Sequence, residues 1–354
     1  MEESRQIFIE KETPSTTPAA PTQTTTPTSP VTPASPTPAP SSTPEPVPEP
    51  LPPNMENVRC DLCGKDDNVV IYKGALKSEE GGSTKEEETY KSSGNKPTED
   101  TIVKCNNCDL IYVNPRLKAE KIVHGYSEGA DESFVSQVKG RETTSVAGLK
   151  FIEKFAKPGK ILDIGTASAS FLHVAKNRGW QVYGVEPNKW LCNWAQKNYG
   201  LYIQPGTIDS LNYPDNFFDV ITLWDVLEHV PNPTEVLKKC HRLIKPGGYI
   251  YLNYPDYESY ASKIMKSKWI FLLSVHIYYF TRETIAKTLE KTGFQTLKYR
   301  THWQTLNFGY LIFRMQPYSM LLYKLGNFFA GLLHVKNFPL KYQLGQTGVI
   351  ARKK

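Results

Sequence analysis

Four cysteines stand as two pairs, Cys60-x-x-Cys63 and Cys105-x-x-Cys108, each followed by a turn residue, Gly64 and Asp109. Two pairs at this spacing supply four thiolates, a closed tetrahedral set for a structural zinc ion with no coordination position left for chemistry. The 41 residues between the pairs exceed the usual ribbon spacing. A polar insert accounts for much of the excess, and it lengthens a hairpin at modest cost because closure entropy grows only logarithmically. A redox dithiol is the competing reading of such a pair. Cys192 and Cys240 fall in helical stretches and read as core residues.

The second constellation is ILDIGTASAS, Ile161–Ser170. A buried strand runs into a turn of small residues and then into a helix, so the backbone can approach a ligand and helix N–H groups can face an anion. Glu186 stands 21 residues beyond Gly165, at the end of the next strand. A carboxylate there can accept hydrogen bonds from both hydroxyls of a ribose. The dinucleotide fingerprint GxGxxG is not matched. His229, in LEHVP, lies just past the fourth strand, where open α/β sheets bind ligands. Its two readings are a catalytic base and a helix-packing histidine.

The elements that would position these groups are strands alternating with helices, the pattern of a parallel sheet. Strands are predicted at 160–165, 181–187, 217–225, 247–255, 294–302 and 348–354. The helix SFLHVAKNRG ends at Gly179, a stop signal. Four segments follow. Residues 1–55 form a tail, 56–115 a cysteine module with a charged insert over 74–101, 116–158 a helical linker or lid, and 159–354 the α/β domain with a helical insert at about 303–345.

The tail holds 15 of the 27 prolines and 11 threonines within residues 1–53. It cannot bury enough apolar surface to offset backbone ordering and reads as disordered. No run of 18 uncharged apolar residues occurs, which argues against a membrane-spanning helix. The start, MEESRQIFIEK, is too acidic for a secretory signal. The net charge of +6 is uneven: residues 261–354 carry fifteen basic groups against two acidic ones. Such a basic stretch suits an anionic partner or a plain solvated face.

As an ordered set, ILDIGTASASFL, VYGVEPN, NFFDVITLWDVLEHVPNP and LIKPGGYIYLNYP resemble the class I S-adenosylmethionine-dependent methyltransferases. The paired CxxC followed by YVNPR is similar to the branch with an N-terminal zinc-binding module, which includes sugar C-methyltransferases and relatives from surface-polysaccharide pathways. The resemblance covers roughly 56–300 and the last strand. It implies a Rossmann-like, seven-stranded, mostly parallel sheet with a small zinc-ribbon-like module. It further implies S-adenosylmethionine and structural Zn2+ as cofactors, with a small-molecule, sugar-linked acceptor.

By resemblance, Asp163, Gly165, Thr166 and Ser168 would line the methionine part of the cofactor. Glu186 would hold the ribose, with Pro187 near the adenine. Thr207 and Ile208 would touch the adenine, Asp209 taking the amine contact if Thr207 does not. Leu223, Trp224 and Asp225 would lie beneath the sulfonium. Where the family's loop has glycine this chain has Ala169, whose methyl would crowd the methionine end. His276 matches a catalytic histidine of the sugar C-methyltransferases, but Val275 replaces the glutamate that precedes it there. Tyr278 and Tyr279 are candidates for the acceptor pocket, and His124, Tyr126 and Arg141 for a lid. Asp163 and Trp224 also admit plain structural readings.

Two other classes stay open: a non-catalytic protein retaining the fold, and an RNA methyltransferase. Against nucleic acid stand WDVLEH, in place of an Asn/Asp-Pro-Pro-aromatic loop, and the acidic insert beside the cysteines. The segment 305–336 sets Tyr, Phe, Leu and Met around Arg314, Lys324 and Lys336. It is either a helical insert packed on the domain, the favoured reading, or an amphipathic helix at a membrane interface. The expected location is cytoplasmic, peripheral at the inner face of the membrane under the second reading.

Overall fold

The computed structural model describes residues 51–74, 93–94, 96–127, 129–316 and 318–354. The tail before residue 51 and most of the charged insert lie outside these. Two-residue strands β1 (Met55–Glu56) and β5 (Arg116–Leu117) pair with each other. Between them come β2 (Asn68–Tyr72), β3 (Ile102–Cys105) and β4 (Ile111–Val113). Helices Ala119–Ser127, Glu132–Val135 and Val138–Ile152 follow.

The main sheet is built from β6 (Lys160–Ile164), β7 (Gln181–Glu186), β8 (Gln204–Pro205), β9 (Phe218–Trp224) and β10 (Ile244–Pro255). After β11 (Tyr278–Tyr279), β12 (Phe294–Thr301) joins it. Strands β13 (Gln304–Asn307) and β14 (Pro339–Tyr342) pair with each other around the insert, and β15 (Gln346–Lys353) completes the sheet. Its order is β12-β15-β10-β9-β6-β7-β8. Only β15 runs antiparallel to its neighbours, β10 and β12. The order reverses at β6, between β9 and β7, so a crevice opens at the carboxyl ends of those strands.

Period-2 alternation sorts the side chains. Ile161, Val220 and Ile350 pack with Leu149 and Leu172 in one core cluster. Leu162, Ile164, Ile221, Leu223 and Leu252 pack with Leu237 and Ile285 in the other. Each fully buried side chain of this kind contributes roughly 1.5–3 kcal/mol of transfer free energy. Helix ends follow local chemistry. Asn188 caps Lys189–Tyr199 through its Oδ1, and Thr281 with Thr284 forms a capping box on Arg282–Lys291.

One expectation fails and another holds in part. Tyr278 and Tyr279 do not line a pocket: they form β11, which pairs antiparallel with β4 of the cysteine module. Their hydroxyls donate to the carbonyls of Pro231 and Leu273. The expected helical insert packs on the domain and walls the cavity through its first helix, while its second helix is left largely uncovered. Helix Phe308–Arg314 buries Tyr310 and Ile312, but helix Met320–Leu332 buries only Ala330. Leu321, Phe328 and Leu332 of that helix are 68%, 64% and 63% exposed. No helix among the described residues is long and apolar enough to cross a membrane.

Candidate active site

The turn after β6 is built for close approach. Gly165, Ala167 and Ala169 all have positive φ, at 66°, 47° and 58°. A Cβ on Gly165 would come within 2.8 Å of a Val226 methyl, so a side chain is excluded there by space as well as by conformation. Ala169 lies in the core beside Phe171 and Leu172 and is fully buried. Its methyl is absent from the lining of the cavity, so the expected crowding of the methionine end does not occur.

That cavity has a volume of about 850 Å³. It brings together Asp163, Gly165, Thr166, Ser168, Glu186, Pro187, Thr207, Ile208, Asp209, Trp224 and Asp225 with His229 and His276. Leu223 is excluded, because alternation along β9 turns it into the opposite core cluster when Trp224 faces the cavity. Of the lid candidates, Tyr126 and Arg141 line the cavity, and His124 is exposed outside it. Gly148 lets the indole of Trp224 lie against helix Val138–Ile152, since a Cβ would sit 2.3 Å from the ring.

Glu186 ties two turns together. One carboxylate oxygen accepts from the Ala167 N–H at 2.7 Å and the other from the Asn188 N–H at 2.9 Å. Each oxygen keeps a lone pair for a further donor. Burial pushes its pKa from 4.5 up to about 7, against the pull of those two N–H groups. Asp163 accepts from the Thr222 hydroxyl at 2.6 Å, and burial lifts it from 3.8 to about 7. Asp225 accepts from Asn253 Nδ2 and Gln346 Nε2, both at 2.6 Å, and burial lifts it to about 6. Thr207 caps the turn Ile208–Ser210, and Asp209 is paired with Lys239.

At the other side of the cavity His229 and His276 face each other, ring centroids 4.6 Å apart. Nδ1 of His229 lies 2.9 Å from the Val275 carbonyl and 2.8 Å from the Tyr126 hydroxyl. Nδ1 of His276 lies 2.8 Å from the Phe271 carbonyl. A carbonyl only accepts, so each Nδ1 carries the proton and Nε2 carries the lone pair. Burial lowers His229 to about 4 and His276 well below the usual range, so both rings are neutral at pH 7. Glu228, missed in the sequence, joins them: one donor atom from each of Glu228, His229 and His276 lies within 4.8 Å of the others. Burial, then Asp225, pushes Glu228 well above the carboxylate range. Its position beside His229 in an apolar frame was the available signal.

Thr166 Oγ1, Trp224 Nε1, both Glu228 oxygens, Arg141 Nε and His302 Nδ1 are buried with no hydrogen-bond partner, and all belong to residues lining this cavity. Buried polar atoms are seldom left unpaired, so their concentration marks a place where a polar ligand belongs. Residues 140–299 match a family model described as a methyltransferase domain. The chain carries a class I methyltransferase domain.

Two ubiquinone biosynthesis O-methyltransferases are similar to it. That of Pseudomonas aeruginosa is 32% identical over 100 residues, covering 27% of this chain and 43% of the relative. That of Coxiella burnetii is 31% identical over 134 residues, covering 35% and 57%. The chain thus spans about half the length of the curated relatives it matches. Among solved structures, a SAM-dependent methyltransferase from Archaeoglobus fulgidus aligns with TM-score 0.42 and 20% identity, over 63% of this chain and all of that one. One from Mesorhizobium loti aligns with TM-score 0.40 and 17% identity, over 59% and 98%.

S-Adenosylmethionine is the methyl donor of the methyltransferase family, and this cavity fits it: a paired carboxylate at the end of β7, unpartnered donors by Trp224 and Thr166, and an open turn between them. Away from the cavity, Cys60 and Cys108 Sγ atoms lie 3.4 Å apart, and those of Cys63 and Cys105 3.5 Å. All four fall within 4.8 Å of one another. A tetrahedral Zn2+ with bonds near 2.3 Å needs sulfur separations of about 3.8 Å, so the cluster is compatible with zinc. Cys192 and Cys240 are buried in the core, as expected.

The three raised carboxylates give a pH dependence with a definite sign. Protons bind the folded state more tightly than the unfolded one, so the stability they contribute is complete below about pH 4 and lost as pH rises through about 7. Melting temperature of the ligand-free protein is therefore expected to fall between pH 5 and 7.5 through these sites. Asp163→Asn, followed by calorimetry, flattens that fall; an unchanged slope refutes the assignment.

Proposed function

We propose that this chain transfers a methyl group from S-adenosylmethionine to an oxygen of a small-molecule acceptor. The observation that carries the proposal is Glu186, held by Ala167 and Asn188 at the switch point of the sheet and facing the same cavity as two neutral histidines. When bound, the cofactor supplies an electrophilic methyl on a sulfonium. The chain's residues then have three tasks.

Glu186 receives the ribose hydroxyls. Trp224 and the turn at 165–168 hold the methionine end. His229 or His276 takes the acceptor's hydroxyl proton on Nε2 as the oxygen–carbon bond forms and the sulfur–carbon bond breaks. In-line displacement needs alignment above all, and the rigid floor of β6 and β9 supplies it. An oxygen acceptor is supported by the curated relatives' names. A sugar-linked acceptor rests on the cysteine-module resemblance alone. Titration with S-adenosylhomocysteine is expected to give micromolar affinity, weakened about ten-fold or more by Glu186→Ala through loss of charge-assisted hydrogen bonds. No binding up to millimolar concentration favours the non-catalytic alternative.

We also propose that the four cysteines hold one structural zinc. Treatment with a mercurial in the presence of a metallochromic indicator is expected to release one equivalent and lower the melting temperature; Cys105→Ser releases none. Metal-free protein with an unchanged melt removes the idea.

The basic, apolar insert supports contact with an anionic lipid surface. Leu321, Leu325, Phe328 and Leu332 are exposed on Met320–Leu332, next to Lys324 and Lys336, and its companion helix walls the cavity through Leu311 and Arg314. Burial of such side chains plus attraction to anionic headgroups is the mode of interfacial helices. Flotation with anionic vesicles at low salt is expected to carry the protein, and Phe328→Glu to abolish this. No flotation overturns it, and a concentration-dependent dimer assigns the face to a second copy.

A further inference from the structure

Arg141 lies on helix Val138–Ile152 and Arg314 on helix Phe308–Arg314, and both line the cavity. The Arg141 guanidinium stacks on the Phe134 ring, 3.5 Å from its centroid. Its Nε is buried with no hydrogen-bond partner. Arg314 Nη1 donates to the Ser93 carbonyl at 3.1 Å and to the Tyr310 hydroxyl at 3.5 Å. Among the described residues, neither arginine forms an ion pair.

The carboxylate whose charge reaches both is Asp225. Its oxygens are already taken by amides: one by Asn253 and Gln346 at 2.6 Å, the other by Gln304 at 3.4 Å. Two cations therefore face one cavity with the single charge of Asp225 within reach and no direct ion pair among the described residues, and burial lowers the pKa of Arg141 against the pull of Tyr310, Tyr342 and Asp225. Taking an unpaired charge out of water is costly unless an opposite charge completes the site. In a cavity that also holds the cofactor crevice, the completing anion arrives with the acceptor.

We propose that Arg141 and Arg314 clamp a phosphate or diphosphate ester carried by the methyl acceptor. Two guanidiniums from separate helices, with the Tyr310 and Tyr342 hydroxyls lining the same end, offer more donors than the two oxygens of a carboxylate can use. Planar forks matched to phosphate oxygens give both strength and orientation. The acceptor's reactive hydroxyl is then presented toward the neutral rings of His229 and His276. This inference rests on the proposed function for the presence of an acceptor in the cavity, though not for the anion site itself.

The test is calorimetric titration with inorganic pyrophosphate, run with and without S-adenosylhomocysteine. Saturable binding is expected, weakened about ten-fold or more in Arg141→Gln and in Arg314→Gln, each checked for an unaltered melt and for affinity toward S-adenosylhomocysteine within about two-fold of the parent. Replacing pyrophosphate by uridine diphosphate or by farnesyl diphosphate separates a nucleotide-linked from a lipid-linked source by which one binds more tightly. Absence of saturable pyrophosphate binding overturns the clamp, as does binding that survives both substitutions. Failure of S-adenosylhomocysteine to bind strikes the methyl-transfer reading instead and leaves the pyrophosphate result to stand or fall by itself.

Discussion

The Glu186 carboxylate is the clasp on which the site depends. It joins the turn after β6 to the turn after β7 by accepting one backbone N–H from each, at Ala167 and Asn188. The first of these turns passes through three left-handed residues, of which the two alanines cost on the order of 1–2 kcal/mol each relative to an ordinary conformation. A buried carboxylate and a strained turn are each unfavourable alone. Together the N–H groups offset part of the desolvation of Glu186, and Glu186 holds the turn in the shape that leaves the crevice open.

The frame around this clasp was legible in the sequence wherever one period governed a segment. Strands β6, β7, β9, β12 and β15 fall within about two residues of their expected ranges, because alternation and flanking Gly or Pro set their limits locally. Strand β10 begins three residues earlier than expected, at Ile244, since the Lys245-Pro-Gly-Gly bend is absorbed into a register shift rather than ending the strand. The cofactor-side residues came with the motif, apart from Leu223, where the same alternation that places Trp224 in the cavity turns its neighbour away.

What escaped the sequence is non-local. Nothing near Tyr278 announces that its strand will pair with Tyr112, some 166 positions earlier. Glu228 reads as an ordinary surface charge until the loop closes over it, and burial is a property of the neighbours rather than of the residue. The insert shows the converse. Its hydrophobic composition suggested packing, yet one side of Met320–Leu332 finds nothing among the described residues to cover it.

The edge-to-edge seam between β4 and β11 makes the cysteine cluster more than a remote brace. Cys105 ends β3 and Cys108 lies in the turn that leads into β4, and β11 starts two residues after His276. The backbone N–H groups of Ile277 and Tyr278 are in turn fastened to the Glu228 carbonyl. A disturbance of the cysteine cluster would thus pass through the paired strands β4 and β11 to the backbone beside His276, while the turns that Glu186 joins after β6 and β7 lie off that path.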